Sequence, residues 1–285
     1  MRTRRTRSIT LVIPDITNPY WPEVARGVQD RAADSHYAVI LANTDWRPER
    51  EAELISFAER SMVEGLIVNP SGPLPEILAH AIPTVVIGSR AEPSTTCDVV
   101  GSDTYGGMRL ATAYLAERGH RRIAFIGGLG PRATTPDRGI RAAGFRDELA
   151  ERDLYLDPKY TLAAPYSIDG GRAAARQLLE LEEPPTAIVG ANDLLAVGAL
   201  LAARELGLVI PDDLSIVGSD DVPLASATWP GLTTVVKPKY ELGQIACELL
   251  LDRLSATSSS AGRRHILPVS LVERGTVAPP RRRQL

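Results

Sequence analysis

Polar residues able to do chemistry recur in this sequence directly after short apolar runs. Asp15, Asn18, Tyr20 and Trp21 follow Ile9–Pro14, and Asn43, Asp45 and Trp46 follow Tyr37–Leu41. Asn69 and Ser71 come after Gly65–Val68, Ser89-Arg90 after Pro83–Ile87, and Asp103 after Val99-Val100-Gly101. In the second half the loop Gly127–Arg141 follows Arg122–Ile126, Asn192-Asp193 follows Ala187–Val189, and Asp220-Asp221 follows Leu214–Val217. Ionised carboxylates accept hydrogen bonds, amides both accept and donate, and aromatic rings cover apolar faces. Acids, amides, an arginine and rings converging on one place suit a small polyhydroxylated or heterocyclic ligand. Taken singly, each has a plainer explanation, because Asp, Asn and Ser are favoured in turns and helix N-caps whatever the function. Their common placement is what points to a site.

Patterns that would signal catalysis fail on inspection. Gly128-Leu129-Gly130-Pro131-Arg132-Ala133 formally fits a dinucleotide-binding turn. Pro131, however, sits inside it, and Thr134-Thr135-Pro136-Asp137 follows where a helix should already run. There is no P-loop lysine motif, no H-E-x-x-H, no C-x-x-C and no G-x-S-x-G elbow. His36, His80, His120 and His265 are scattered, and His120 reads as a helix-exit residue packing locally. Asp212-Asp213 behind Pro211 reads as a turn. No ligand spacing supports a metal. No catalytic residue, cofactor or metal is therefore expected, and the chain is read as a non-enzyme.

The elements that must position the polar turns alternate. Ile9–Pro14 is a short apolar run stopped by proline, a buried strand. Tyr20–Ser35 carries Val24, Val28 and Ala32 at helical spacing. Strands are expected at Tyr37–Leu41, Gly65–Val68, Pro83–Ile87 and Val99-Val100, with helices at Pro48–Met62 and Leu74–Ala79. The pattern then repeats. Helices Thr104–Arg118, Arg138–Glu151, Ile168–Leu181, Asp193–Leu206 and Tyr240–Leu254 alternate with strands at Arg122–Ile126, Tyr160–Ala163, Ala187–Val189, Leu214–Val217 and Thr233–Val236. Ser255–Gly262 reads as a loop and His265–Val272 as terminal strand material. Such alternation means parallel sheets with right-handed crossovers. The strands are too many for one small doubly wound sheet, so two α/β lobes in tandem are expected. Ligands of such sheets sit at the carboxyl ends of the strands, where the polar turns lie.

Composition bounds the rest. The chain has 285 residues, of which 44% are hydrophobic and 24% charged, enough for a real core and against disorder. No run of ~18 apolar residues provides a membrane span. The apolar stretch after the basic N-terminus stops at Pro14-Asp15, too short for a signal-peptide core. Two cysteines, Cys97 and Cys247, cannot make a disulfide framework, so a cytoplasmic, reduced setting is expected. Four arginines lie in residues 1–7 and three in 281–285; removing those seven from a net charge of −3 leaves a body at −10. So acidic a body argues against the folded part gripping nucleic acid by itself, and the basic ends read as solvated tails.

Several segments, in order and spacing, resemble the effector-binding core of the LacI/GalR family of bacterial transcription regulators. They include Ile13-Pro14-Asp15-Ile16-Thr17-Asn18-Pro19-Tyr20-Trp21, Leu41-Ala42-Asn43-Thr44-Asp45, and Glu117 through Gly128 with its Gly119-His120-Arg121-Arg122. Arg141-Ala142-Ala143-Gly144-Phe145, Ala191-Asn192-Asp193, Leu214 through Asp221, and Leu232-Thr233-Thr234-Val235 with Leu242-Gly243 complete the set. The resemblance runs through nearly the whole chain. It implies two doubly wound parallel-sheet lobes of the periplasmic-binding-protein-like type, joined by three hinge crossings. The first lobe would be residues 8–102 plus 238–266 and the second 103–237 plus 267–280. Residues 1–7 would be the basic remnant of a linker and 281–285 a tail.

By the same resemblance, a small effector, a sugar in the first instance, is held in the cleft between the lobes. Arg141 matches the arginine that grips effector, Asn192 and Asp220 match polar contacts of the second lobe, and Asp15 and Tyr20 the wall of the first. Tyr166 falls where an aromatic stacks on the ligand, and Asp103 where the chain first crosses between lobes. An arginine fork of donors, acidic and amide acceptors and a stacking face agree with such a ligand. Ser219 departs from the pattern, standing where an aromatic is common before Asp220, which would widen or reshape the pocket. The helix-turn-helix head is expected to be missing, since only seven residues precede Ser8 and the motif needs two helices and a turn. This headless core is expected to form a homodimer and to touch operator DNA only in a full-length form. Effector binding would shift an equilibrium between two lobe angles. The alternatives are a periplasmic-type sugar-binding receptor, a regulator sensing a purine or nucleoside, and an enzyme on the same fold.

Overall fold

The computed structural model describes residues 6–80, 82–88, 91, 93–94, 97–129, 136–255 and 261–281. These form two compact units. The first is built mainly from the chain up to Ser102 and from Pro238–Pro268, the second mainly from Asp103 to Lys237 and from Val269 onward.

In the first unit, β1 (Ser8–Ile13), β2 (Ala38–Asn43), β3 (Gly65–Val68), β4 (Thr84–Ile87), β5 (Cys97–Ser102) and β11 (Arg264–Leu267) make a sheet in the order β11-β5-β4-β3-β1-β2. Every pairing in it is parallel. Its inner strands β1, β3 and β4 are apolar runs rather than alternating ones because both faces are covered. Ile9, Leu11 and Ile13 of β1 bury one way, with Val28 of α1 (Tyr20–Asp34) and Leu242 and Leu250 of α9 (Lys239–Ser255). Val12 buries the other way, with Leu66, Val86, Ile55 of α2 (Pro48–Arg60) and Ile77 of α3 (Leu74–Leu78). Two glycines bring α1 and α9 into backbone contact. A Cβ on Gly27 would lie 2.0 Å from the Tyr240 carbonyl oxygen, and one on Gly243 would lie 2.1 Å from that of Val24.

The second unit repeats the plan. Here β6 (Ile123–Leu129), β7 (Thr161–Pro165), β8 (Ala187–Gly190), β9 (Ser215–Asp220), β10 (Thr233–Val236) and β12 (Ser270–Val272) take the order β12-β10-β9-β8-β6-β7. All pairs are parallel except the edge pair β10–β12. Its helices are α4 (Thr104–Glu117), α5 (Pro136–Glu151), α6 (Ile168–Leu179), α7 (Asp193–Glu205) and the short α8 (Pro223–Ala227). In each sheet the second strand lies on one side of the first and the third on the other. A doubly wound sheet binds ligands at the carboxyl side of that reversal.

The expected strand material His265–Val272 divides at Pro268 into β11 of one sheet and β12 of the other. Pro268, which has no N–H to donate to a ladder, stands between the two strands. Leu267 is the Cα partner of Ser102 in the first sheet. Helix α8, five residues opened by a proline, is too short to show an apolar period and was not expected. Most of the loop Ser255–Gly262 lies outside the described residues. Among the described residues, no helix is long and apolar enough to cross a membrane.

Candidate functional site

The carboxyl ends of β7, β6, β8, β9 and β10 stand side by side in the second unit, and those of β7, β8, β9 and β10 each deliver a polar or aromatic group. Tyr166 follows β7 and is buried, 8% exposed. Its hydroxyl accepts a hydrogen bond from Arg141 Nη1 of α5 at 2.9 Å, and the guanidinium carbon lies 5.8 Å from its ring centroid. Asn192, buried after β8, caps α7, its Oδ1 accepting the Leu195 N–H at 3.0 Å. Asp220 ends β9, buried, with its Oδ1 accepting from Lys237 Nζ at 2.8 Å; Lys237 follows β10 and is buried as well. The register explains the meeting, since Val236 is the Cα partner of Asp220.

Close helix packing supports this row. A Cβ on Gly171 of α6 would lie 2.3 Å from the Leu195 carbonyl oxygen, and one on Gly198 of α7 would lie 2.2 Å from that of Ile168. The two helices therefore touch near their N-termini, just after Tyr166 at the end of β7 and Asn192 at the end of β8, the two strands that flank β6.

The turn after β9 is strained and tied at several points. Asp220 has φ 133° and Asp221 φ 54°, a left-handed region that L-residues other than Asn and Asp seldom visit. Arg274 Nη2 bonds Asp221 at 2.6 Å. The Val222 N–H donates to Asp193 Oδ2 at 2.9 Å, and Thr234 Oγ1 donates to Asp193 Oδ1 at 2.5 Å. Gly218 leaves the room for this carboxylate, as a Cβ there would lie 2.3 Å from Asp193 Oδ1. Burial pushes the Asp193 carboxyl up to about 7, and the negative charge of Asp220 adds to the rise. Ser219 is fully buried in β9, and its hydroxyl has no hydrogen-bond partner among the described residues.

The other expected site residues lie elsewhere. Asp103 follows β5 and caps α4, its Oδ1 accepting the Gly106 N–H at 2.8 Å. Asp15 follows β1 and closes its own turn, Oδ1 accepting from Thr17 N at 2.9 Å and Thr17 Oγ1 at 2.6 Å. Tyr20 opens α1, its ring edge-on to Trp21 with centroids 5.0 Å apart. The remaining polar turns of the first unit are absorbed locally. Asn43 accepts from the Ile16 N–H, Asn69 donates to the Ile87 carbonyl, and buried Glu51 accepts from the Ser71 and Gly72 N–H groups. Ser89-Arg90 and residues 130–135 of the Gly127–Arg141 loop lie outside the described residues.

Sequence reasoning passed over Lys237, and Asp193 as an anchor. Lys237 could have been found by applying the strand-end rule to Thr233–Val236 as to the other strands. His120 is buried, with Thr186 Oγ1 and the Ala278 carbonyl each 2.9 Å from its ring nitrogens, and burial lowers its pKa. Arg281, itself exposed, pairs with Asp212 at 2.7 Å and Asp213 at 2.8 Å. Among the described residues, no three His, Cys, Asp or Glu side chains gather to hold a metal.

Residues 112–277 match the family described as periplasmic binding protein-like domain. The ribose operon repressor of Halalkalibacterium halodurans is 36% identical over 269 residues, 94% of this chain and 78% of that protein. The chain belongs to the LacI family of transcription regulators. Another LacI-family relative, the HTH-type transcriptional repressor CytR of Escherichia coli, is 30% identical over 279 residues, 97% of this chain and 81% of that one. A LacI family regulator from Enterococcus faecium, solved with bound ribose, superposes with a TM-score of 0.84 at 29% identity, covering 96% of this chain and 100% of that one. The curated relatives carry the names of repressors, which fits a LacI-family regulator rather than an enzyme. Two parallel-sheet α/β units are the periplasmic-binding-protein-like architecture of that family.

Proposed function

We propose that this LacI-family chain is the effector-sensing core of a transcription regulator and that its effector is a sugar. The observation that carries the reading is the hydrogen-bonded Arg141–Tyr166 pair at the carboxyl end of the same sheet whose neighbouring strands β8 and β9 lead into Asn192 and Asp220. Tyr166 offers an apolar face for a sugar ring, Arg141 a planar fork of donors, and Asp220 and Asn192 polar groups for hydroxyls. Asp103, Asp15 and Tyr20 are proposed as further contacts. The ribose bound to the Enterococcus faecium regulator supports the ligand class. Proposed, too, are a homodimer and a division of labour between lobes 8–102 plus 238–266 and 103–237 plus 267–280. Effector would change affinity for DNA only by its own difference in affinity for two conformations, typically about 1–3 kcal/mol.

The test is a thermal-shift screen of sugars, sugar phosphates, sugar acids, nucleosides and purines, followed by calorimetry on Arg141→Ala. A ligand at ~100 times its dissociation constant stabilises by about 2.7 kcal/mol. Arg141→Ala is expected to abolish binding of the hit and to leave a dimer by light scattering. Unchanged affinity would sink the site, and a shift with purines or nucleosides alone would overturn the sugar.

A further inference from the structure

The glycines at the end of β6 fit no phosphate-binding turn, yet one of them does something specific. A Cβ built on Gly128 would lie 1.8 Å from Cζ of Tyr166, 2.1 Å from its Cε1 and 2.2 Å from its Cε2. The ring thus lies on the bare backbone of β6, at the strand around which the second sheet reverses. Among the described residues the glycines with positive φ are Gly119 and Gly207, and Gly128 is not one of them, so nothing in its own backbone forbids alanine. Its neighbour Gly127 is far less demanding, for a Cβ there would meet nothing closer than 3.1 Å.

We propose that Gly128 is a positioning residue of the effector site. Its missing side chain seats the Tyr166 ring flush with the strand end and so sets where the Tyr166 hydroxyl meets Arg141. A methyl group at 128 evicts the ring rather than unfolding the sheet, because the clashing atoms are the far end of a side chain with two rotatable bonds. Eviction removes the stacking face and breaks the 2.9 Å hydrogen bond to Arg141 together. Residue 128 thereby decides whether an aromatic ring can occupy the floor of the site. The inference rests on the effector reading above, and its test separates the two.

Ribose is the probe, with wild type, Gly128→Ala, Tyr166→Ala and the double variant titrated by calorimetry. Gly128→Ala is expected to weaken ribose binding by about tenfold, the scale of losing one aromatic contact. In the Tyr166→Ala background the same change is expected to cost less than about twofold, because there is no ring to displace. An unaltered affinity in Gly128→Ala, or an equal loss in both backgrounds, would overturn the proposal. If wild type binds no ribose, the choice of effector is wrong and a ligand-free measurement decides Gly128 alone. In chain labelled with 3-fluorotyrosine, the Tyr166 fluorine resonance, assigned by Tyr166→Phe, should move from a buried to a solvent-exposed position in Gly128→Ala. An unmoved resonance would overturn the proposal without reference to any ligand.

Discussion

Replacing Asp193 by asparagine tests whether the turn carrying Asp220 is anchored by a carboxyl group that resists ionisation. Asp193 is fully buried, and burial, with the charge of Asp220 behind it, raises its pKa from the ordinary 3.8 to about 7. The folded state therefore keeps a proton that the unfolded chain gives up between these values. Where the folded state binds more protons, stability falls as pH rises, by up to roughly 1.4 kcal/mol per pH unit for one group. Over about three units the cost reaches about 4 kcal/mol, absent at low pH and complete above neutrality. Asparagine cannot ionise, yet it can keep both contacts. Its oxygen accepts the Val222 N–H, and its NH2 donates to the Thr234 hydroxyl, which turns from donor to acceptor. Asp193→Asn is expected to match the parent near pH 4 and to exceed it by several kcal/mol near pH 8. Urea unfolding of both proteins across this range reads the difference directly. Two other buried groups titrate nearby with opposite signs. Raised Glu51 loses stability as pH climbs, and lowered His120 gains it, but both cancel in the difference between variant and parent. A difference that changes by less than about 1 kcal/mol between the two ends would refute the reasoning.

Two further predictions test how the units are held. Lys237→Met leaves the Asp220 carboxylate buried without its cation and should cost about 3–5 kcal/mol in urea unfolding. Adding Asp220→Asn should recover much of that, and a loss under about 1 kcal/mol would mean that the pair is not buried as described. Gly243→Ala pushes a methyl group against the Val24 carbonyl and should destabilise by about 1–3 kcal/mol or more, whereas Gly88→Ala, with open space around it, should not. Equal stabilities of the two alanine variants would remove the backbone contact between α1 and α9.

The fold was legible because its strands announce themselves. Runs such as Gly65–Val68 and Ala187–Gly190 are wholly buried, so they carry no polar alternation and end where a turn residue begins. Less was legible where tertiary structure, not local pattern, decides. Nothing within His265–Val272 says that Pro268 divides it between two sheets, and nothing within Pro223–Ala227 distinguishes one helical turn from loop. The site was half visible. Asn192 and Asp220 were reachable from the rule that ligands meet strand ends, but Asp15, Asn43, Asn69 and Ser71 obey the same rule and bond their own turn or the turns and strand ends beside them. A sequence cannot separate the two groups, because the same short polar side chains that bind ligands also satisfy backbone N–H groups. Arg141 and Tyr166 became visible only through resemblance to known regulators.

Lys237 was hidden for a different reason, and it bears on how the site works. Its meeting with Asp220 is a matter of register between β10 and β9, a distance of 17 residues along the chain. Asp220 and Asp221 sit in a backbone conformation that costs on the order of 1–3 kcal/mol per residue unless the surroundings enforce it. Lys237, Arg274 and Asp193 are those surroundings, each bonding a different residue of the turn. A carboxylate fixed in this way loses little freedom when a ligand hydroxyl arrives, so more of the contact energy appears as affinity. In the proposed effector site, a ligand at Asp220 would act on a residue already joined to Lys237, the last residue of the second unit before the chain returns to the first.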